Sequence, residues 1–151
     1  MNKSLLTSNK DDWCTPQAFF DELDREFHFD LDAAASSENA KCKRYFTKET
    51  DGLKNSWGGT VFCNPPYGRK VIEWVRKASS EAANGATVVM LIAARTDTIF
   101  FHEYIYNKPN VEIRFIKGRL KFTDEHGNGN DPAPFPSMVV IFRPPERGKI
   151  K

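Results

Sequence analysis

Apolar positions along this chain follow two alternating rhythms. Phe19, Leu23 and Phe27 recur every four residues with Phe20 beside them, which predicts an amphipathic helix over residues 16–27. Thr15 suits the cap of that helix and Pro16 its first turn, although the pair also reads as nothing more than a helix start. The period then drops to two. Phe27, Phe29 and Leu31 alternate with His28, Asp30 and Asp32, a strand that closes in the small residues 33–37. Tyr45-Phe46 is expected as a short strand, and Val61, Phe62 and Cys63 as the end of a buried one. Val71, Val75, Ala78 and Ala82 mark the inner face of a second helix that Gly85 stops.

Residues 87–94 are continuously apolar, which predicts a central parallel strand covered on both faces. A helix over residues 97–107 should point Ile99, Phe100, Tyr104 and Ile105 inward. After a turn at Pro109-Asn110, Val111, Ile113 and Phe115 alternate with Glu112 and Arg114 as another strand. The last strand covers residues 137–142. Helix and strand patterns in alternation predict an α/β fold, a three-layer sandwich around a mostly parallel sheet, with a terminal antiparallel pair.

Composition narrows this to one domain. At 151 residues, 40% hydrophobic and 28% charged, the chain has an ordinary globular balance. Residues 1–10 and 144–151 read as flexible tails around a domain spanning 11–143. A net charge of +2 permits a nucleic-acid partner without demanding one. No apolar run approaches the roughly 18 residues of a membrane span and no signal-peptide pattern opens the chain, so an intracellular protein is expected. Cys14, Cys42 and Cys63 lack metal-ligand spacing, and their odd number argues against a disulfide framework. Asp124, His126, Asn128 and Gly129 faintly suggest a calcium loop, but Phe135 stands where a bidentate Glu is needed. No metal is expected.

The chain is organised around Asn64-Pro65-Pro66-Tyr67. Two consecutive prolines cannot donate to a sheet ladder, so the strand ends there, and Pro65 holds Asn64 extended. The result is a stiff corner at the carboxyl edge of a sheet, where α/β proteins bind ligands. It presents a carboxamide, a carbonyl and an aromatic ring. The Asn64 oxygen and the Pro65 carbonyl could each accept one hydrogen of an exocyclic amine, while Tyr67 stacks on the base. The tetrapeptide alone also describes a proline-rich turn closed by a buried tyrosine. Asp30 and Asp32 likewise also read as solvated charges at a strand end.

Several segments occur in one order: Trp13-x-Thr15-Pro16, Phe29-Asp30-Leu31-Asp32-Ala33-Ala34, Glu38-Asn39-Ala40-Lys41-Cys42, Asp51-Gly52-Leu53, the corner, Gly118-Arg119-Leu120-Lys121-Phe122 and Ala133-Pro134-Phe135-Pro136-Ser137. Together they resemble the phage and prophage DNA N-6-adenine methyltransferases of the Dam type over about residues 11–143. The resemblance implies a single-domain, Rossmann-like S-adenosylmethionine-dependent methyltransferase fold, shortened between Asp32 and Asn64. It implies double-stranded DNA as partner and the cytoplasm of a bacterial host as location. It makes Asn64, Pro65, Pro66 and Tyr67 the catalytic corner. Trp13, Thr15, Pro16, Asp30, Asp32, Ala33, Asp51 and Asn64 become cofactor contacts, with Asp51 receiving the cofactor's adenine amine. Tyr67 or Phe135 would stack on a flipped adenine. Arg95, Arg114, Lys117, Arg119 and Lys121 are candidate phosphate contacts, each of which also reads as a solvated cation. The corner alone would equally serve cytosine, RNA or a glutamine amide, and a catalytically inactive DNA-binding relative would keep the fold.

Overall fold

In chain order the strands are β1 (Leu31–Asp32), β2 (Arg44–Tyr45), β3 (Thr60–Cys63), β4 (Thr87–Ala93), β5 (Val111–Phe115), β6 (Lys121–Phe122), β7 (Asp131–Pro132) and β8 (Ser137–Phe142). These coordinates are a computed structural model, which describes residues 13–124, 126, 128, 129 and 131–146. The expected N-terminal tail and residues 147–151 lie outside the described residues. Six strands form one sheet in the order β2-β1-β3-β4-β8-β5. β1 runs parallel to β2 and β3, and β3 to β4, whereas β8 runs antiparallel to both β4 and β5. The expected mostly parallel α/β sheet with an antiparallel element at its end is therefore present. β8 is inserted between two strands that precede it.

The side-chain period of two divides the sheet cleanly. Val61, Met90 and Val140 face α2 (Val71–Ala83) and its Trp74, Val75 and Ala78. Phe62, Leu91 and Val139 face α1 (Gln17–Phe27) and its Phe20 and Leu23. β4 is covered on both sides, with 0% exposure from Val88 through Ile92. Each such Val, Leu or Ile contributes on the order of 1.5–3 kcal/mol of burial, which is why the continuous apolar run belongs at the centre.

Local chemistry redraws several boundaries. Thr15 does not cap α1. Pro16 holds that position in an extended conformation (φ −61°, ψ 139°), and the helix starts at Gln17. The strand expected over residues 27–32 shrinks to Leu31–Asp32. Phe27 ends the helix, left-handed His28 (φ 57°) returns its N–H to the Asp24 carbonyl, and the Asp24 carboxylate accepts from Phe29 N–H. Three residues of apparent strand rhythm thus serve to stop a helix. The helix expected over residues 97–107 is wound at Phe101–Ile105 as a π-helix, with Tyr106 N–H on the Phe101 carbonyl at 2.7 Å. The wider turn carries Phe100, Phe101 and Ile105 inward and leaves Ile99 70% exposed. β6 and β7 form a small separate hairpin, and its neighbour Thr123 exchanges two backbone hydrogen bonds with Cys14.

Candidate active site

The corner leaves the carboxyl end of β3, and the segment 13–15 lies against it. That segment is held by the Cys14–Thr123 bridge. The Asn64 amide donates both hydrogens, one to the Trp13 carbonyl and one to Thr15 Oγ1 at 3.0 Å. Asn64 Oδ1 is buried and has no hydrogen-bond partner among the described residues. Turning the amide over would set Oδ1 against the Trp13 carbonyl, acceptor facing acceptor, and lose that hydrogen bond of about 1 kcal/mol, whereas the Thr15 hydroxyl could serve either orientation by donating or accepting. The Trp13 carbonyl therefore fixes which end of Asn64 is left without a partner. Sequence reasoning missed this orienting role. Nothing in a sequence links residues 49 apart, and Thr15 had a sufficient local explanation.

Tyr67, expected to stack on the base, is closed off in this structure. Only 9% of it is exposed, its hydroxyl donates to the Leu91 carbonyl at 3.1 Å, and its ring lies 5.2 Å from that of Phe135. Burial raises its phenol well above the ordinary range. Trp13 packs edge-on against Phe122 and Phe135 at 5.5 and 5.6 Å, closing an aromatic cluster beside the corner. Pro65 is buried and Pro66 half-buried. Cys63 is fully buried and its thiol pushed well up by desolvation, so it carries no thiolate for covalent chemistry.

On the neighbouring strand, Asp32 is 3% exposed at the carboxyl end of β1. Desolvation raises its carboxyl to about 6, opposed by hydrogen bonds from the backbone N–H groups of Lys41 and Ala34. Ala33 is fully buried, and its N–H donates to the Phe62 carbonyl at 2.9 Å. Its carbonyl meets Gly52 so closely that a Cβ there would lie 2.3 Å away, which explains the glycine in Asp51-Gly52-Leu53. Asp51 is left-handed (φ 60°) and its carboxylate accepts from Leu53 N–H at 3.0 Å. The first-strand loop and the Asp51 turn are thus one packed unit beside the corner.

Asp30 does not belong to it. It precedes β1 at the amino edge of the sheet, where its backbone N–H donates to the Thr60 carbonyl and its carboxylate accepts from Thr60 N–H at 2.9 Å. The alternation that paired Asp30 with Asp32 put them at opposite ends of a very short strand.

The candidate cations also separate. Arg95 follows β4 at the carboxyl edge, exposed, with its guanidinium 5.8 Å over the Phe135 ring. Arg119 donates to the Ala133 carbonyl at 3.3 Å, and Lys117 is exposed. Lys121 borders an open depression of about 610 Å³ together with Asp21, Glu22 and Arg25, two acids beside two bases. Arg114 is engaged by carboxylates. It makes a two-pronged pair with Glu26 at 2.8 Å and a further bond to Glu112 at 2.7 Å, and Arg143 completes the chain of charges. Both carboxylates are held below their ordinary range, chiefly by hydrogen bonds from Arg114. Among the described residues no three His, Cys, Asp or Glu side chains converge to hold a metal, and no helix is long and apolar enough to cross a membrane.

An Asn-Pro-Pro-Tyr corner with an unpartnered acceptor, set at the carboxyl edge of a mostly parallel sheet whose antiparallel strand β8 lies between β4 and β5, defines a Rossmann-like methyltransferase domain. The chain belongs to the DNA N-6-adenine-methyltransferase (Dam) family, whose model matches residues 2–150. It is 32% identical over 161 residues to the DNA N-6-adenine-methyltransferase of Escherichia phage T1, covering 94% of this chain and 66% of that protein. It is 32% identical over 141 residues to the DNA N-6-adenine-methyltransferase of Haemophilus phage HP1, covering 91% and 81%. A shorter match, 37% over 65 residues, links it to the putative methyltransferase YfdM of Escherichia coli K12. The chain spans about two thirds of the phage T1 protein's length and four fifths of the phage HP1 protein's.

Proposed function

We propose that this protein methylates the exocyclic amine of adenine in double-stranded DNA, with S-adenosylmethionine as donor. The observation that carries the proposal is the buried, unpartnered Oδ1 of Asn64, whose amide nitrogen is held by the Trp13 carbonyl and Thr15 Oγ1. An adenine amine is a poor nucleophile because its lone pair is delocalised into the ring. Asn64 Oδ1 and the Pro65 carbonyl accept its two hydrogens, which draws the nitrogen toward a tetrahedral, more nucleophilic state. Both acceptors are fixed before the reaction, so no reorganisation is needed as charge develops. The target must leave the helix stack to reach them. Its stacking partners are the rings of Tyr67 and Phe135, which touch each other in this structure and part to admit the base.

The site fits a cationic donor. Asp32 offers a buried carboxylate, and the close Ala33–Gly52 contact that only glycine permits fixes the Asp51 turn beside it. Asp32, Ala33, Asp51 and the 13–16 segment would hold the cofactor. Bound there, S-adenosylmethionine supplies an electrophilic methyl group. Asn64 and Pro65 position the acceptor in line with it. Sequencing DNA from expressing cells with a modification-sensitive method should show N6-methyladenine in a defined context. A folded protein that leaves DNA unmodified sinks the reading, and a methyl on cytosine keeps the mechanism while changing the substrate.

DNA contact makes its own prediction. Arg95→Ala and Arg119→Ala should each weaken DNA binding and lower the salt slope by about one per lost phosphate contact. Arg114→Ala should leave the slope unchanged and cost up to about 1 kcal/mol of stability, because its partners are largely solvated. Binding titrations across a salt series, with denaturant melts alongside, decide it. A reduced slope in Arg114→Ala would return that residue to the interface.

A further inference from the structure

We propose that Ser137 is a second contact to the flipped base, its hydroxyl donating to a ring nitrogen of the adenine whose amine Asn64 receives. This rests on the reading of the corner given above. Among the described residues, Asn64 Oδ1 and Ser137 Oγ are the buried side-chain polar atoms without a hydrogen-bond partner. A buried hydroxyl with no partner is costly and calls for a reason, of which a role at a binding site is one. Folding does not explain this one. Ser137 is 1% exposed and pairs with Ala93 across the β4–β8 ladder. Its carbonyl already receives Ile116 N–H at 3.1 Å. Ala93 and Ala133 show that alanine is accepted among the buried residues on this side of the sheet, where it would leave no orphan.

The two orphans share one edge and one face. Ser137 opens β8 with the parity of Val139 and Ile141, which pack on the α1 side with Tyr67 and Phe135. Asn64 leaves β3 on that same side, toward Trp13 and Thr15. Only β4 lies between their strands, and its Leu91 carbonyl anchors Tyr67. Two strand spacings are roughly 10 Å, and Ser137, opposite Ala93, lies two residues beyond the level at which Asn64 leaves β3 after the Cys63–Met90 pair, so the backbones stand about 12 Å apart on the diagonal, a span that a purine with a hydrogen bond of about 2.9 Å at each end can bridge. The Tyr67–Phe135 ring pair belongs to the same buried cluster, so a base that parts those rings would be stacked there and gripped at both edges. A hydroxyl can donate, and the ring nitrogens of adenine are acceptors.

The test compares wild type, Ser137→Ala and Ser137→Cys on duplexes carrying the sequence that wild type methylates in cells. Ser137→Ala should melt at or above wild type, bind S-adenosylhomocysteine as wild type does, and lose about ten- to a hundredfold in kcat/KM for DNA, mostly through KM. Ser137→Cys, close in size with a weak donor, gives the same comparison should Ser137→Ala melt early. Duplexes with 1-deaza-, 3-deaza- or 7-deazaadenine at the target remove the ring acceptors in turn. One of them should cost wild type the same factor and cost Ser137→Ala nothing more. Additive losses with all three overturn the proposal, as does a folded Ser137→Ala with unchanged kcat/KM. Weakened S-adenosylhomocysteine binding overturns it too, by assigning the hydroxyl to the cofactor. A wild-type protein that binds S-adenosylhomocysteine and leaves DNA unmethylated sinks the corner reading itself, and Ser137 with it.

Discussion

Asn64→Ala is expected to cut methyl transfer at least ~100- to 1000-fold, the scale of deleting one preorganised group that meets developing charge. The fold should survive. Asn64 contributes two hydrogen bonds to segment 13–15, so stability should fall by about 1–3 kcal/mol. The rest of the corner is held by β3 and by buried Pro65. Asn64→Asp separates the two roles. It keeps an acceptor for the amine but sets a second oxygen against the Trp13 carbonyl, so it should melt below Asn64→Ala while retaining more methyl transfer than it. Methyl incorporation at saturating cofactor, measured beside thermal melting, is the readout. Near wild-type turnover in a normally melting Asn64→Ala would show that the orphan oxygen serves something other than the target amine.

What was legible in the sequence was whatever rests on local period or rigid chemistry. The double proline ends β3 where expected, and the apolar run of β4 lies at the centre of the sheet. The inner face of α2 carries Val75, Ala78 and Ala82 as its spacing requires. What escaped depends on partners far along the chain. Glu26, 88 residues from Arg114, engages that candidate phosphate contact in a surface ion pair. Tyr67 reads as a free ring until Phe122 and Phe135 pack against it, with Trp13 behind them. Asp30 and Asp32 look equivalent because strand alternation does not reveal that helix capping consumes half the strand. The Ser137 hydroxyl is visible as a residue, but its lack of a partner is a property of the folded surroundings alone.

Asp32→Asn is expected to separate stability from cofactor binding, through the sign of one titration. Burial raises the Asp32 carboxyl from 3.8 to about 6 in the folded protein. Below about pH 4 the group is protonated in both folded and unfolded chains and costs nothing. Between about 4 and 6 the folded state holds a proton that the unfolded state has released, so stability falls as pH rises. Above about 6 the full deficit is present, on the order of 3 kcal/mol at 1.36 kcal/mol per unit. Denaturant melts of the free protein should show this decline, and Asp32→Asn should flatten it and be relatively more stable at pH 8. Binding runs the other way. A cationic cofactor beside Asp32 favours the ionised carboxylate, so affinity should rise about tenfold per pH unit toward 6 and level off above it. Calorimetry in buffers of different ionisation enthalpy should detect the proton released below that point. In Asp32→Asn both the pH dependence and most of the affinity should disappear. A variant that keeps the wild-type stability slope would show that another group titrates there. One that binds S-adenosylmethionine as tightly as wild type would remove Asp32 from the cofactor site and leave it a buried acid that only organises the 34–41 loop.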